Sequence, residues 1–210
     1  MLVPNMTLHE IRNAVINDYV QEIKNKLELI KITYPGKLMR NGYKDIVETI
    51  TFNAKSRNNW RITIVCKKGK LSSTPYLVAY DNIGITASHI PYFYNPYRFM
   101  HFNSHFFKRY RERAKIKIEK PEDLVKYFFR KNFFLIPCYV PREDGTQQLF
   151  TPLADGVALG NYHPGSEIYE FKTFVDFSLL REDQKKQGAE ILTDTIKDVE
   201  NEMKRRLKIQ

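Results

Sequence analysis

Ser104-His-Phe-Phe-Lys-Arg-Tyr-Arg-Glu-Arg113 is the stretch around which the predicted architecture of this chain is organised. Its residues His105, Arg109 and Arg113 recur every four positions, so a helix places their side chains on one face. The aromatic residues of the stretch fall on an adjoining face, and the other charged residues fall on a third. The stretch therefore predicts a helix with an apolar face, a solvated face and, on the border between them, a His-Arg stripe (His105, Arg109 and Arg113).

The His-Arg stripe suits the binding of a phosphate or of a phosphoryl group in transfer, because guanidinium groups hold phosphate oxygens in bidentate fashion. Cleavage of RNA by its own 2′-hydroxyl needs a base, an acid and cations around the phosphorane. An imidazole exchanges protons near neutral pH and can fill the first two roles. DNA has no 2′-hydroxyl and would be bound but not cleaved in this way.

A structural role for the same stripe remains an open alternative. A histidine beside an aromatic face is often a core-edge residue, and the two arginines can pair with Glu112 or with acids of the sheet such as Asp155 and Asp176.

The charge of the chain is concentrated in one segment. The net charge is +10, and between Arg98 and Lys131 eleven Lys and Arg residues are opposed by four Asp and Glu residues, a local excess of +7. A basic segment with interleaved aromatic residues favours a polyanionic partner, and the 2′-hydroxyl chemistry above makes RNA the better candidate than DNA. The alternative is a solvated basic face without a nucleic-acid partner.

Composition predicts a folded cytoplasmic protein. Hydrophobic residues make up 42% of the 210 residues and aromatic residues 13%, which argues against disorder. No apolar run approaches the length of a membrane span, and the first residues do not resemble a signal peptide. Cys66 and Cys138 stand in no metal or redox spacing, so we expect both to be reduced core residues of an intracellular protein.

The first half of the chain predicts a helix followed by an antiparallel meander. A capping box, Thr7-x-x-Glu10, begins a helix that continues to about Lys31 and is expected to end by Pro35-Gly36. Alternating β-branched and aromatic residues predict strands at Asp45–Phe52, Trp60–Cys66 and Tyr76–Tyr80, with a short one within Asn82–Ser88. The segment His89–His101, dense in Pro, Tyr and Asn, predicts an ordered loop.

The second half predicts two helices and then a sheet. The first helix is capped by Asn103 or Ser104, and the second runs from Pro121 to Arg130. Turn signals separate four predicted strands, at Phe134–Val140, Gln147–Pro152, Val157–Gly160 and Ile168–Phe177. An amphipathic helix from Leu179 to Leu207 either covers this sheet or pairs with a second copy in a homodimer.

These elements predict an α+β fold. Residues 1–95 form an N-terminal helix and an antiparallel β meander, residues 96–178 form two helices packed on an antiparallel sheet, and residues 179–210 form a C-terminal helix. The three regions are either separate units or one continuous domain.

Several established sites are missing from the sequence. There is no H-E-x-x-H, G-x-S-x-G, P-loop or G-x-G-x-x-G motif. Paired acids at metal-ligand spacing are absent from the basic half, which argues against a two-metal nuclease. We therefore expect neither a metal nor another cofactor.

The pattern Ser104-His105-x-x-x-Arg109-x-x-x-Arg113, followed by a second helix and by Lys172-Thr173-Phe174 on a late strand, resembles a known group. It is similar to the toxin-type ribonucleases of the barnase–EndoU–colicin–RelE superfamily and to bacterial families with the same S-H-x3-R-x3-R helix. The resemblance covers about Phe102 to Phe177. It implies a substrate groove lined by His105, Arg109, Arg113 and Thr173; no motif match supports the nearby Tyr162 and His163.

The sequence thus predicts a metal-independent ribonuclease that cleaves RNA by attack of the 2′-hydroxyl. A non-catalytic nucleic-acid-binding module and a structural or accessory protein of a mobile element remain alternatives. The enzyme requires His105, the binding module requires only positive charge, and the structural protein requires neither.

Overall fold

A computed structural model describes residues 1–67, 70–91, 98–133, 135–141 and 147–207 of the protein. Within these ranges the fold is α+β, with helices packed on a nine-stranded, mostly antiparallel sheet, as the sequence predicts. No helix of the described part is long and apolar enough to cross a membrane.

The helices of the described part are α1 (Leu8–Asp18), a π-helical turn (Tyr19–Ile23), α2 (Lys24–Arg40), α3 (Ser104–Arg113), α4 (Pro121–Lys131) and α5 (Glu182–Leu207). The helices predicted at Ser104 and at Pro121 are confirmed as α3 and α4. The capping box at the start of α1 is confirmed, because Thr7 accepts a hydrogen bond from the Glu10 backbone and the Glu10 side chain accepts one from the Thr7 backbone. Pro121 occupies the first turn of α4, where its missing N–H costs nothing.

The predicted end of the N-terminal helix at Pro35-Gly36 is wrong, because α2 continues through both residues to Arg40. Tyr34 and Leu38 are buried one helical turn apart, so their packing favours a continuous helix. Pro35 itself is exposed, so its ring does not disturb this packing. Tertiary packing here outweighs the local preference of Pro and Gly.

The strands form a single sheet with the order β1-β2-β3-β4-β5-β9-β8-β7-β6. They are β1 (Ile46–Asn53), β2 (Asn59–Lys67), β3 (Lys70–Tyr80), β4 (Ile85–His89), β5 (Phe99–Phe102), β6 (Tyr139–Pro141), β7 (Gln147–Pro152), β8 (Gly156–His163) and β9 (Ile168–Asp176). β5 is a correction, because its residues belong partly to the segment predicted as a loop. The central part of that loop, residues 92–97, lies outside the described residues.

The two halves of the chain meet at β5. This strand pairs antiparallel with β4 and parallel with β9, with Phe102 opposite Phe171. The rings of these two residues stack with centroids 4.6 Å apart. The sheet is therefore continuous across residue 95, and its parallel β5–β9 pair departs from the predicted all-antiparallel arrangement.

Helices cover both faces of the sheet. The face that carries Tyr76, Phe102 and Phe171 packs against α3 and α4, and we call it the α3/α4 face. The opposite face, which carries Trp60 and Leu77, packs against α1 and α2. Both cysteines are buried and free, as expected.

The beginning of α5 packs on its own chain. Gly188 lies so close to the ring of Phe150 on β7 that an added Cβ would stand 2.4 Å from it. Ile191 and Leu192 of the same helix contact a small buried cluster of Ile136 and Cys138.

We expect Phe171→Ala to lower the free energy of unfolding by about 3–5 kcal/mol, because it removes a fully buried ring from the junction of β5 and β9 and leaves a cavity. Phe177→Ala, at a ring that is 43% exposed, should cost less than about 1 kcal/mol and is the matched control. Urea unfolding curves measure both values. Equal losses of unfolding free energy in the two variants would show that packing of Phe171 between β5 and β9 does not stabilise the fold as expected.

Candidate functional site

The start of α3 is fixed by side-chain hydrogen bonds. Asn103 is the capping residue, and its Oδ1 accepts from the Phe106 backbone N–H at 2.9 Å. Ser104 Oγ donates to Asp81 Oδ2 at 2.7 Å, which ties the helix to the turn between β3 and β4. Partial burial alone would raise the pKa of Asp81, but hydrogen bonds from Ser104 and from the Gly84 backbone outweigh it and lower that pKa.

Aromatic packing sets the rotation of α3 about its own axis. Phe106, Phe107 and Tyr110 are at most 1% exposed. The Tyr110 ring stands edge-on to Phe174 of β9, with centroids 5.0 Å apart. This packing leaves His105 exposed at the helix surface, as the helical spacing predicts.

His105 and Arg109 are in contact on the exposed side of α3. Arg109 Nε donates a weak hydrogen bond to His105 Nε2 across 3.4 Å, and Arg109 Nη1 lies 3.0 Å from Glu112 Oε2. In this contact His105 Nε2 is the acceptor. The side chains of Arg109 and Glu112 are 40% and 42% exposed, which makes their ion pair weak and open to competition.

Arg113 makes a structural contact. Its Nη1 donates to the backbone carbonyl of Phe174 at 2.5 Å, and its side chain is partly buried. β5 ends at Phe102, and the Asn103 backbone N–H makes the last β5-side bond to β9, at Phe171 O. Beyond this point α3 lies beside β9, and Arg113 supplies a donor where the neighbouring strand has ended.

Thr173 lies on the strand that α3 contacts, but the structure does not join its hydroxyl to the His-Arg stripe. The residue is paired with Leu159 of β8 across a bulge, and its side chain faces away from the sheet face of Phe174. Among the described residues it forms no hydrogen bond with His105, Arg109 or Arg113. The four predicted residues therefore belong to one helix and the strand beside it, with Arg113 bonded to the residue after Thr173 and His105 bonded to Arg109.

A second polar cluster lies on β8 and β9 and was not predicted as a site. Glu170 Oε2 lies 3.3 Å from His163 Nε2 and 3.2 Å from Lys172 Nζ. Glu170 is only 15% exposed, whereas the other two side chains are 43% and 45% exposed. The strand period of two, applied to both strands together, is the signal in the sequence that places these residues on one face.

Two histidines are buried in the sheet, and one of them, His101, is paired with Glu170 across β5 and β9. His101 Nδ1 lies 3.0 Å from Ser88 Oγ, and His89 Nδ1 lies 2.6 Å from the Pro75 carbonyl. Burial lowers the pKa of each to about 4, although Glu170 partly opposes the shift at His101. The described residues contain no group of three or more His, Cys, Asp or Glu side chains arranged to hold a metal ion.

Comparison with known proteins gives no relative from which a function follows. No protein-family model matches the chain, and neither the curated proteins nor the solved structures yielded a match. A function is therefore inferred from the geometry of α3, β8 and β9.

The buried histidines predict a loss of stability in mild acid. An unfolded histidine binds a proton below about pH 6.5, whereas His89 and His101 bind one in the fold only below about pH 4. Between those values the unfolded chain binds more protons, so stability falls as the pH falls. From pH 7 to pH 5 we expect a loss of roughly 2 kcal/mol per histidine in urea unfolding.

His101→Gln should reduce that pH dependence by about half if it folds, whereas His9→Gln, at an exposed site on α1, should leave it unchanged. A wild-type protein with the same unfolding free energy at both pH values would contradict the assignment.

Proposed function

We propose that the protein is a metal-independent ribonuclease-like protein that cleaves RNA by attack of the 2′-hydroxyl on the adjacent phosphorus. The observation that supports this most directly is the exposed His105–Arg109 contact on a helix that is docked along the strand of Thr173. An imidazole and a guanidinium held together offer one proton acceptor and one phosphate ligand at the same place.

In the proposed reaction, His105 Nε2 takes the proton of the 2′-hydroxyl while the 2′-oxygen forms a bond to phosphorus. The bond from phosphorus to the 5′-oxygen breaks, and the leaving oxygen receives a proton from water. The products are a 2′,3′-cyclic phosphate and a free 5′-hydroxyl, and no electrons are exchanged with a cofactor.

Arg109 has two tasks in this scheme. Its hydrogen bond now occupies His105 Nε2, the atom that must accept the proton. A phosphate bound by the guanidinium would draw it from both His105 and the exposed Glu112, so that binding of the substrate frees the base. The arginine would then stabilise the negative charge of the phosphorane.

Arg113 has a supporting task. Arg113 uses Nη1 for the Phe174 carbonyl and retains further N–H donors for a phosphate oxygen. Thr173 faces the opposite side of the sheet and has no part in this scheme. In this scheme Arg113 also holds α3 and β9 in register, so it serves mainly as a positioning residue.

A non-catalytic nucleic-acid-binding module is the second candidate, and the solvated side of α3 favours it. Lys108 and Arg111 of α3 are exposed, and so are Lys115, Lys117 and Lys120 directly after it. Such a surface attracts a phosphate backbone whether or not His105 acts as a base.

Cleavage of labelled RNA in excess EDTA tests the enzyme. We expect products with 2′,3′-cyclic phosphate ends, and His105→Ala should slow the reaction by roughly 100-fold or more, because it removes the proton acceptor. His9→Ala removes another exposed histidine, on α1, and should leave the rate unchanged. If both variants cleave RNA like the wild type, His105 is not in the mechanism.

The salt dependence of RNA affinity tests the binding contribution of Arg109. Affinity should fall steeply with salt, and Arg109→Ala should reduce the log–log slope by about 1 because one phosphate contact is lost. Filter binding or fluorescence anisotropy at several salt concentrations measures the slope. A flat salt response in the wild type would contradict both the enzyme and the binding module.

A further inference from the structure

Basic side chains meet where α4 packs against the outer two strands of the sheet, on elements other than the helix of the His-Arg stripe. We define the α4–β1 groove by Arg61 of β2, Lys126 and Arg130 of α4, and Thr49 of β1. β1 is the edge strand of the sheet, and Val47 on it is 44% exposed, so helices do not fully cover this part of the α3/α4 face. Lys126 lies between Glu122 and Arg130 at helical spacing, on the same flank of α4.

Both guanidinium groups of the groove are held in place by neutral groups. Arg61 Nη1 donates to the backbone carbonyl of Glu122 at 2.8 Å, and Arg130 Nε donates to Thr49 Oγ1 at 3.2 Å. Each arginine therefore has a restricted conformation while several of its N–H donors remain unused. Side chains ordered in this way lose little further entropy when a ligand binds.

A chain of hydroxyl groups leads from Arg130 to the Tyr76 phenol. Thr49 Oγ1 lies 3.1 Å from Thr63 Oγ1, which in turn donates to the Tyr76 hydroxyl at 3.4 Å. Burial raises the pKa of Tyr76, and the charges of Arg61 and Arg130 both oppose that increase. Both guanidinium groups are thus near enough to act on the same phenol.

The positive charge of the groove is only partly balanced by the described part of the chain. Neither Arg61 nor Arg130 forms a salt bridge there, and the buried Nε of Arg61 has no hydrogen-bond partner. The pKa of Glu122 is lowered by the hydrogen bond from the Tyr80 hydroxyl and further by the charge of Arg61, so this carboxylate offsets part of the charge of Arg61. Like charges gathered at a partly buried site oppose folding unless an anion joins them.

The length of the groove favours a polymer over a single small anion. Its two anchoring points on α4, Glu122 and Arg130, are eight residues apart, which is about 12 Å along the helix axis. A nucleic-acid strand advances about 3.4 Å per nucleotide, so this distance corresponds to three or four nucleotides. Guanidinium and hydroxyl donors are the groups that bind phosphodiester oxygens.

We propose that the α4–β1 groove binds the phosphate backbone of an RNA strand, as a contact separate from the cleavage site. The inference depends on the proposed function only for the identity of the polymer. The groove would raise affinity for long RNA and would have no part in the chemical step at His105.

The probe for this proposal is a 20-nucleotide 2′-O-methyl RNA, which cannot be cleaved by 2′-hydroxyl attack. We expect Arg130→Gln and Lys126→Gln each to weaken its binding by about 5- to 10-fold and to lower the log–log salt slope by about 1. Lys24→Gln removes one exposed cation from α2, on the opposite face of the sheet, and should change the affinity by less than twofold. Lys126 makes no hydrogen bond or ion pair within the described chain, so its variant also controls for misfolding of the Arg130 variant.

Cleavage of a dinucleotide separates this proposal from the proposed function. A dinucleotide is too short to reach both sites, so Arg130→Gln should cleave it at the wild-type rate, whereas His105→Ala should not. Suppose that the wild type cleaves the dinucleotide and that the Arg130, Lys126 and Lys24 variants bind the 2′-O-methyl RNA equally well. This result would contradict RNA binding at the α4–β1 groove and would support the proposed enzyme. The opposite pattern, binding lost in the groove variants without any cleavage by the wild type, would support the groove and contradict the enzyme. Equally tight binding of poly-glutamate, lost in the same variants, would overturn the assignment of the groove to RNA.

Discussion

The short strand β5 pairs through three residues with β4 on one side and through four residues with β9 on the other, and this double pairing makes one sheet out of two meanders that are distant in sequence. The register is supported by the stacked rings of Phe102 and Phe171, both fully buried. Because β5 is short and runs directly into α3, the helix begins at the point where β9 loses its neighbouring strand. The position of every residue proposed for catalysis follows from that geometry.

The same geometry gives the His-Arg stripe a divided role. Arg113, at the end of α3, donates a hydrogen bond to the Phe174 carbonyl, which a longer β5 would have bonded instead. Arg109, one turn earlier, has only an exposed carboxylate and an imidazole as partners, both of which a phosphate can replace. A pattern of three evenly spaced residues in the sequence thus separates into one mainly structural residue and two residues available for chemistry.

The sequence predicts α3 and its cap well, because capping and helical period act within ten residues. It also predicts β7 to the residue, since turn signals bound that strand on both sides. The continuation of α2 through Pro35 is missed because burial of Tyr34 and Leu38 depends on the distant sheet. β5 is missed because its partner β9 lies about seventy residues away and no local pattern specifies a parallel pair.

The candidate site shows the same limit. Helical spacing places His105 and Arg109 together, but it cannot show that Arg113 is bonded to a strand carbonyl or that a bulge sets the direction of Thr173. The cluster of Glu170, His163 and Lys172 likewise emerges only when β8 and β9 are paired. Contacts within one element are readable from the sequence, whereas contacts between elements require the register of the sheet.

The central claim, that RNA is cleaved through its own 2′-hydroxyl, is tested most directly with a DNA oligonucleotide that contains a single ribonucleotide. The account predicts that the wild-type protein in excess EDTA cuts this strand at one place, immediately 3′ to the ribonucleotide, and leaves a 2′,3′-cyclic phosphate there. The same strand made entirely of DNA should remain intact. Cleavage of the all-DNA strand at a comparable rate, or an intact ribonucleotide-containing strand under conditions in which the protein is folded and binds it, would contradict the account.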